Sequence, residues 1–109
     1  MRFIELEPKF MKMVEVPGRN YFEDVATLAE AHGVRHLCPV CFLKNDGPQG
    51  THSIITPNTK APGIWATNGG WDMTGTGLED LTIHPSVQVL GEDSCKAHFF
   101  IRSGEVIFA

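Results

Sequence analysis

The chain has few cysteines, no basic cluster and no long apolar run, and each absence closes off a class of function. Lys and Arg number 9 against 13 Asp and Glu, for a formal net charge of -4. The positive face that would hold a phosphate backbone is missing, so nucleic acid is not an expected partner. No apolar stretch is long enough to span a bilayer, and no signal peptide or lipidation motif stands out. A membrane partner is therefore not expected, and the cytoplasm is the expected compartment. Three cysteines cannot all pair within one chain, which argues against a disulfide framework and leaves thiols free for a metal. The H-E-x-x-H of zinc proteases is absent, as is an H-x-E upstream of P-C-x-x-C, the zinc deaminase pattern. With no internal repeat and no dividing linker, one domain over residues 1–109 is expected.

What is present reads as a small globular domain, 42% apolar and 9% aromatic. Eleven glycines and seven prolines, most of them after residue 46, favour loops and short strands there. "MRFIELEP" and "FMKMVEV" alternate like strands, with a hairpin expected through Pro8 and Lys9. "NYFEDVATLAEAHG" reads as a helix. Asn20 and Glu23 have capping-box spacing, Phe22, Val25, Leu28 and Ala29 form an apolar stripe, and Gly33 stands where a left-handed residue would end it. "VRHL", "HSIIT", "IWAT" and "TIHPSVQVL" read as short strands, the last with Pro85 at an edge or bulge. "WDMTGTGLEDL" reads as irregular and "GED" as a turn. "AHFFI" and "EVIFA", joined by "RSG", read as a hairpin. The expected fold class is α+β: a small, mainly antiparallel β domain with one helix in its N-terminal half, clipped by zinc.

The clip is read from the cysteines. "HLCPVCFLKN" holds Cys38 and Cys41 in C-x-x-C, and "CKAH" holds Cys95 and His98 in C-x-x-H. Each pair has knuckle spacing, and three sulfurs with one imidazole suit tetrahedral zinc. The spacing assigns Cys38, Cys41, Cys95 and His98 as ligands. Four protein ligands leave no position for water, so this zinc is expected to be structural. His52 in "THS" is the alternative fourth ligand, or a group beside the site. A redox role for the pair would need it to open a helix in a thioredoxin-like unit, whereas here a helix is expected before it and loop after it.

Ser86 and His84, two apart in "TIHPSVQV", are the candidate nucleophile and base, since alternate strand residues share a face. An orienting third group would come from Asp72 or Asp80. The plain alternative makes Thr82, His84 and Ser86 the polar face of an edge strand. Pairing Ser86 with His98 conflicts with His98 as a zinc ligand. Trp65 and Trp71, around "ATNGG", are core pieces or the lining of a pocket.

Taken together, C-P-x-C, "GTH", the Trp- and Gly-rich segment, "DLTIHPSVQV" and "CKAHFFIRSGEVIF" resemble a family of small phage and bacterial zinc-binding-type proteins. The matching positions are Thr82, Ile83, Pro85, Ser86 and Val87, then Cys95, His98, Ile101, Gly104 and Val106 or Ile107. Some members carry an ammonia monooxygenase label, which no copper-site cluster or membrane span in this chain supports. Others are similar to components of bacterial ubiquitin-like conjugation operons in which a peptidase role is proposed. The expected role is a zinc-binding accessory or interaction module of phage or mobile-element origin with a protein partner. The alternative is a small peptidase acting on ubiquitin-like tails, with Ser86 as nucleophile.

Overall fold

The computed structural model describes residues 1–63, 70–90 and 94–109. Its first sheet begins with β1 (Lys9–Val16) and β2 (Arg19–Val25), an antiparallel hairpin in register from Phe10↔Val25 to Val16↔Arg19. Pro17 and Gly18 make the turn, with Gly18 at φ 86, a conformation open to glycine. β3 (Gly33–Leu37) and β4 (Ser53–Pro57) complete a sheet of order β2-β1-β3-β4. The second sheet is a meander of β5 (Asp72–Thr74), β6 (Thr82–Gln88), β7 (His98–Arg102) and β8 (Glu105–Phe108). Among the described residues, every strand pair is antiparallel.

The domain is small, compact and mostly β, which corrects the expected α+β class. The helix expected over residues 20–33 is instead β2 followed by a 3-10 turn at Leu28–Glu30. Tyr21, Phe22 and Val25 favour a pleated surface, and seven register pairs with β1 satisfy the backbone that a helix would have satisfied internally. Only part of the apolar stripe packs on the core: Val25 and Leu28 do, while Phe22 is 38% exposed. A side-chain N-cap is present seven residues later than expected. Thr27 accepts from the Glu30 N–H, and its hydroxyl donates to the Glu30 carboxylate at 2.7 Å. Gly33 ends no helix. It begins β3, where a Cβ would lie 2.5 Å from the Thr56 carbonyl oxygen of β4.

The expected first strand is a 3-10 turn, Phe3–Leu6, that buries Phe3 and Leu6 completely. No hairpin forms at Pro8 and Lys9. β5 lies within the stretch read as irregular. The C-terminal hairpin forms as expected, with Ser103 and Gly104 both at positive φ in its turn. The strand expected at "IWAT", Trp65 and the "GED" turn lie outside the described residues.

Both sheets contribute to one buried cluster. Phe10 and Val34 enter it from the first sheet, and Ile83, Val87, Phe99 and Ile101 from the second. At its centre, His36 lies edge-on to Phe3 and Phe99, with ring centroids 5.0 and 5.8 Å away. Burial pushes this imidazole down to about 4, against the pull of the Leu37 carbonyl on its Nδ1. It is therefore neutral in the fold.

A candidate metal centre and a serine–histidine pair

Cys38 ends the run of β3 and stands at the N-cap of α1 (Pro39–Lys44), with Pro39 at the first helical position. Cys41 follows within the first turn, so C-P-V-C opens a helix and does not follow one. That corrects the expected local order, yet β3 and β4 on either side of the helix pair antiparallel and do not form the parallel βαβ unit of a thioredoxin-like redox pair. Burial raises the Cys38 thiol to about 12, and Cys41 is raised as well, first by burial. A reactive thiol at a helix N-terminus has the opposite shift.

The third thiol arrives from the β6–β7 connection, and the fourth group is His52. Cys38, Cys41, His52 and Cys95 place their donor atoms within 4.8 Å of one another. The Sγ atoms of Cys38 and Cys95 are 3.6 Å apart, and Cys95 Sγ is 3.4 Å from His52 Nε2. Tetrahedral zinc with Zn–S of about 2.3 Å and Zn–N of about 2.0 Å requires edges of about 3.5–3.8 Å. The donor set and its spacing thus fit zinc. Burial works against ionising Cys95, but the Ala97 N–H, His52 and the facing thiols outweigh it and bring the thiol down to about 7.

Strand pairing explains His52. β3 and β4 pair down to Leu37↔Ser53, and the next step of the ladder is the Cys38 N–H donating to the His52 carbonyl at 2.9 Å. Cys38 and His52 are thus neighbours on the β3–β4 backbone ladder. The signal was available as a histidine directly before the strand that follows the C-x-x-C segment. The cluster that the structure assembles holds His52 and not the expected His98.

His98 is engaged elsewhere. It is the first residue of β7 and pairs in register with Gln88 of β6. Its Nε2 lies 2.8 Å from the Ser86 hydroxyl oxygen, a diagonal contact across the two strands. With the imidazole neutral and its proton on Nδ1, the hydroxyl donates to Nε2, the contact a general base makes with its nucleophile. Ser86 is half-buried. The expected partner, His84, sits opposite Asp72 of β5 and is exposed. The register of β6 against β7 shifts between Ile83 and Val87, so the simple rule of alternating faces does not carry from His84 to Ser86. Asp80 does not reach this pair: its carboxylate accepts from the Thr76 and Gly77 N–H groups and from the Thr76 hydroxyl.

One segment, "CKAH", therefore sends its cysteine to the metal cluster and its histidine to a serine. Residues 17–109 match the family described as bacterial ubiquitination-like system serine protease, BubE. The chain belongs to the BubE family. Its description names a serine protease, and the Ser86–His98 contact lies within the matched residues. No curated protein and no solved structure matches the chain. Among the described residues, no helix is long and apolar enough to cross a membrane.

Proposed function

We propose that this BubE-family chain is a small serine peptidase of a bacterial ubiquitination-like system, acting on the tail of a ubiquitin-like protein. Ser86 is the nucleophile and His98 the general base. The observation that carries the reading is the 2.8 Å contact between Ser86 Oγ and His98 Nε2. It favours the peptidase over the accessory module expected from sequence, because a serine that only served the backbone would have no imidazole on its hydroxyl. The partner is then the protein substrate itself.

The chemistry follows from the pair. Ser86 Oγ attacks the scissile carbonyl carbon while its proton passes to His98 Nε2. Collapse of the tetrahedral adduct breaks the bond to the leaving amine, which takes the proton back from His98 and leaves an ester on Ser86. A water that gives its proton to His98 then attacks the ester, and the acid product departs with the serine restored.

Cys38, Cys41, His52 and Cys95 would hold one zinc, which supplies a cross-link among three chain segments. Four protein donors leave no site for a reacting group, and the reacting pair is complete without the metal. The cross-link makes residues 1–109 a single zinc-clipped unit and fixes the start of the turn that delivers His98. In that turn Lys96 is at φ 55, its N–H donates to Ser94 Oγ, and the Val89 N–H donates to the Ala97 carbonyl.

The test is cleavage of a ubiquitin-like protein extended at its C-terminus, by wild type and by Ser86→Ala. Cleavage by wild type and none by a folded, zinc-loaded Ser86→Ala is expected. Equal cleavage by both would overturn the reading.

A further inference from the structure

Ser86 lies where β6 has least backbone support. β5 pairs with β6 through Thr74↔Thr82, Met73↔Ile83 and Asp72↔His84, and stops there. On the other side, the register with β7 shifts between Ile83 and Val87. Ser86 has no register partner on either neighbouring strand. A serine on such a bulge would be free to swing, and its hydroxyl would leave His98 with it.

A side chain takes the place of the missing strand. The indole N–H of Trp71 donates to the Ser86 carbonyl oxygen at 3.1 Å. Trp71 is itself held by the first sheet. Its backbone N–H donates to the Pro57 carbonyl at 2.9 Å, and it forms a parallel bridge with Asn58. Asn58 is 3% exposed and fully engaged: its N–H donates to the His32 carbonyl, its Nδ2 to the Ala31 carbonyl, and its Oδ1 accepts from the Lys60 N–H. The approach is tight. At Gly70, φ is +72, and a Cβ would lie 2.2 Å from the Asn58 carbonyl oxygen, so the residue before Trp71 has to be glycine.

We infer that Trp71 is a positioning residue for the nucleophile: its indole N–H fixes the Ser86 carbonyl on the unpaired bulge and so holds the Ser86 hydroxyl on His98. The inference rests on the peptidase reading and adds a residue to it. Trp71 acts through the Ser86 carbonyl and not on the transferred proton. Its effect is on the fraction of time the serine spends in line with its base, and misplacement on the order of 1 Å costs about 100-fold in such sites.

The experiment compares wild type, Trp71→Phe and a chain with benzothienylalanine at position 71, which keeps the shape of the indole and lacks its N–H. Cleavage of the C-terminally extended ubiquitin-like protein gives kcat and KM. A fluorophosphonate probe gives the labelling rate and the labelled fraction at Ser86, and melting with zinc analysis reports the fold. Both variants are expected to keep one zinc and a cooperative melt. kcat and the labelling rate should fall about 10–100-fold, with KM within about 3-fold of wild type. A folded variant that labels at the wild-type rate overturns the positioning role, and so does one whose labelled fraction falls at an unchanged rate. If Trp71→Phe does not fold, the isosteric chain decides. A wild type that neither cleaves nor labels overturns the peptidase reading and the positioning role together; normal labelling of wild type and both variants overturns the positioning role alone.

Discussion

The metal cluster and the serine–histidine pair share the short segment Cys95–His98, yet they are built in opposite ways. The cluster draws four side chains from the start of α1, the edge of β4 and the β6–β7 connection, and its geometry is closed by the ligands themselves. The pair uses two side chains on adjacent strands, and its geometry is set by strand register. Three donors of the first can be recognised from residue type and spacing. The second depends on how far one strand slides along another. In the proposed function the difference separates what holds the molecule from what reacts in it, and that separation can be tested by breaking each side alone.

The largest effect belongs to the cluster. Metal binding and folding are linked, and structural zinc contributes about 10–16 kcal/mol in small zinc peptides. Cys38→Ser, or stripping wild type with a chelator, should abolish the cooperative melt, and zinc should restore it to stripped wild type. An apo-protein that melts cooperatively and ignores added zinc would contradict the clip.

Exchanging the histidines sharpens the comparison. His52→Ala should lose stoichiometric zinc. His98→Ala should retain one zinc and a folded chain, and lose cleavage by about 1,000-fold or more, the scale of removing a member of such a catalytic unit. Zinc analysis and kinetics on both variants check this. Loss of zinc from His98→Ala with retention in His52→Ala would restore the assignment that spacing alone suggests.

A mid-sized effect concerns neither site. His36 is neutral in the core because burial lowers it from 6.5 to about 4. Between those values the unfolded chain binds a proton that the folded chain refuses, so falling pH favours unfolding; below about 4 both states are protonated and the effect saturates. The shift corresponds to about 3 kcal/mol. Denaturant melts of wild type and His36→Leu at pH 7 and near pH 4 should show wild type losing stability relative to the variant by most of that amount. Parallel pH dependences would contradict a neutral buried His36.

The smallest effect is at His84, which faces Asp72 and solvent. His84→Ala should leave stability within about 0.5 kcal/mol, as expected for an exposed side chain, and cleavage within about 2-fold. A 100-fold loss would return His84 to the role the sequence suggested.

The sequence shows why one side of the comparison is easier to read. Cys38, Cys41 and Cys95 were legible from residue type and the C-x-x-C spacing, whereas C-x-x-H is split between the cluster and Ser86. His52 was legible only as an alternative, because its place depends on β3 and β4 pairing through Leu37↔Ser53, a contact between separated segments. Ser86 stood out, but pairing it with His98 conflicted with the reading of His98 as a zinc ligand. Alternation along β6 points to His84, and the register shift next to Ser86 breaks that alternation. The terminal hairpin was legible from local turn residues. The helix over 20–33 was misread because Tyr21, Phe22 and Val25 satisfy both periods in a short window, and the partner strand β1 decided between them. Local chemistry was readable; pairing between distant segments was not.

The central claim is that Ser86 is a nucleophile activated by His98. Its most direct test is labelling of the zinc-loaded chain with a serine-directed fluorophosphonate, read by mass spectrometry. One label per wild-type chain is expected, located at Ser86, with none on Ser86→Ala and labelling of a folded, zinc-containing His98→Ala slowed by about 1,000-fold. Stoichiometric zinc with no label on wild type, or equal labelling of wild type and His98→Ala, would contradict it.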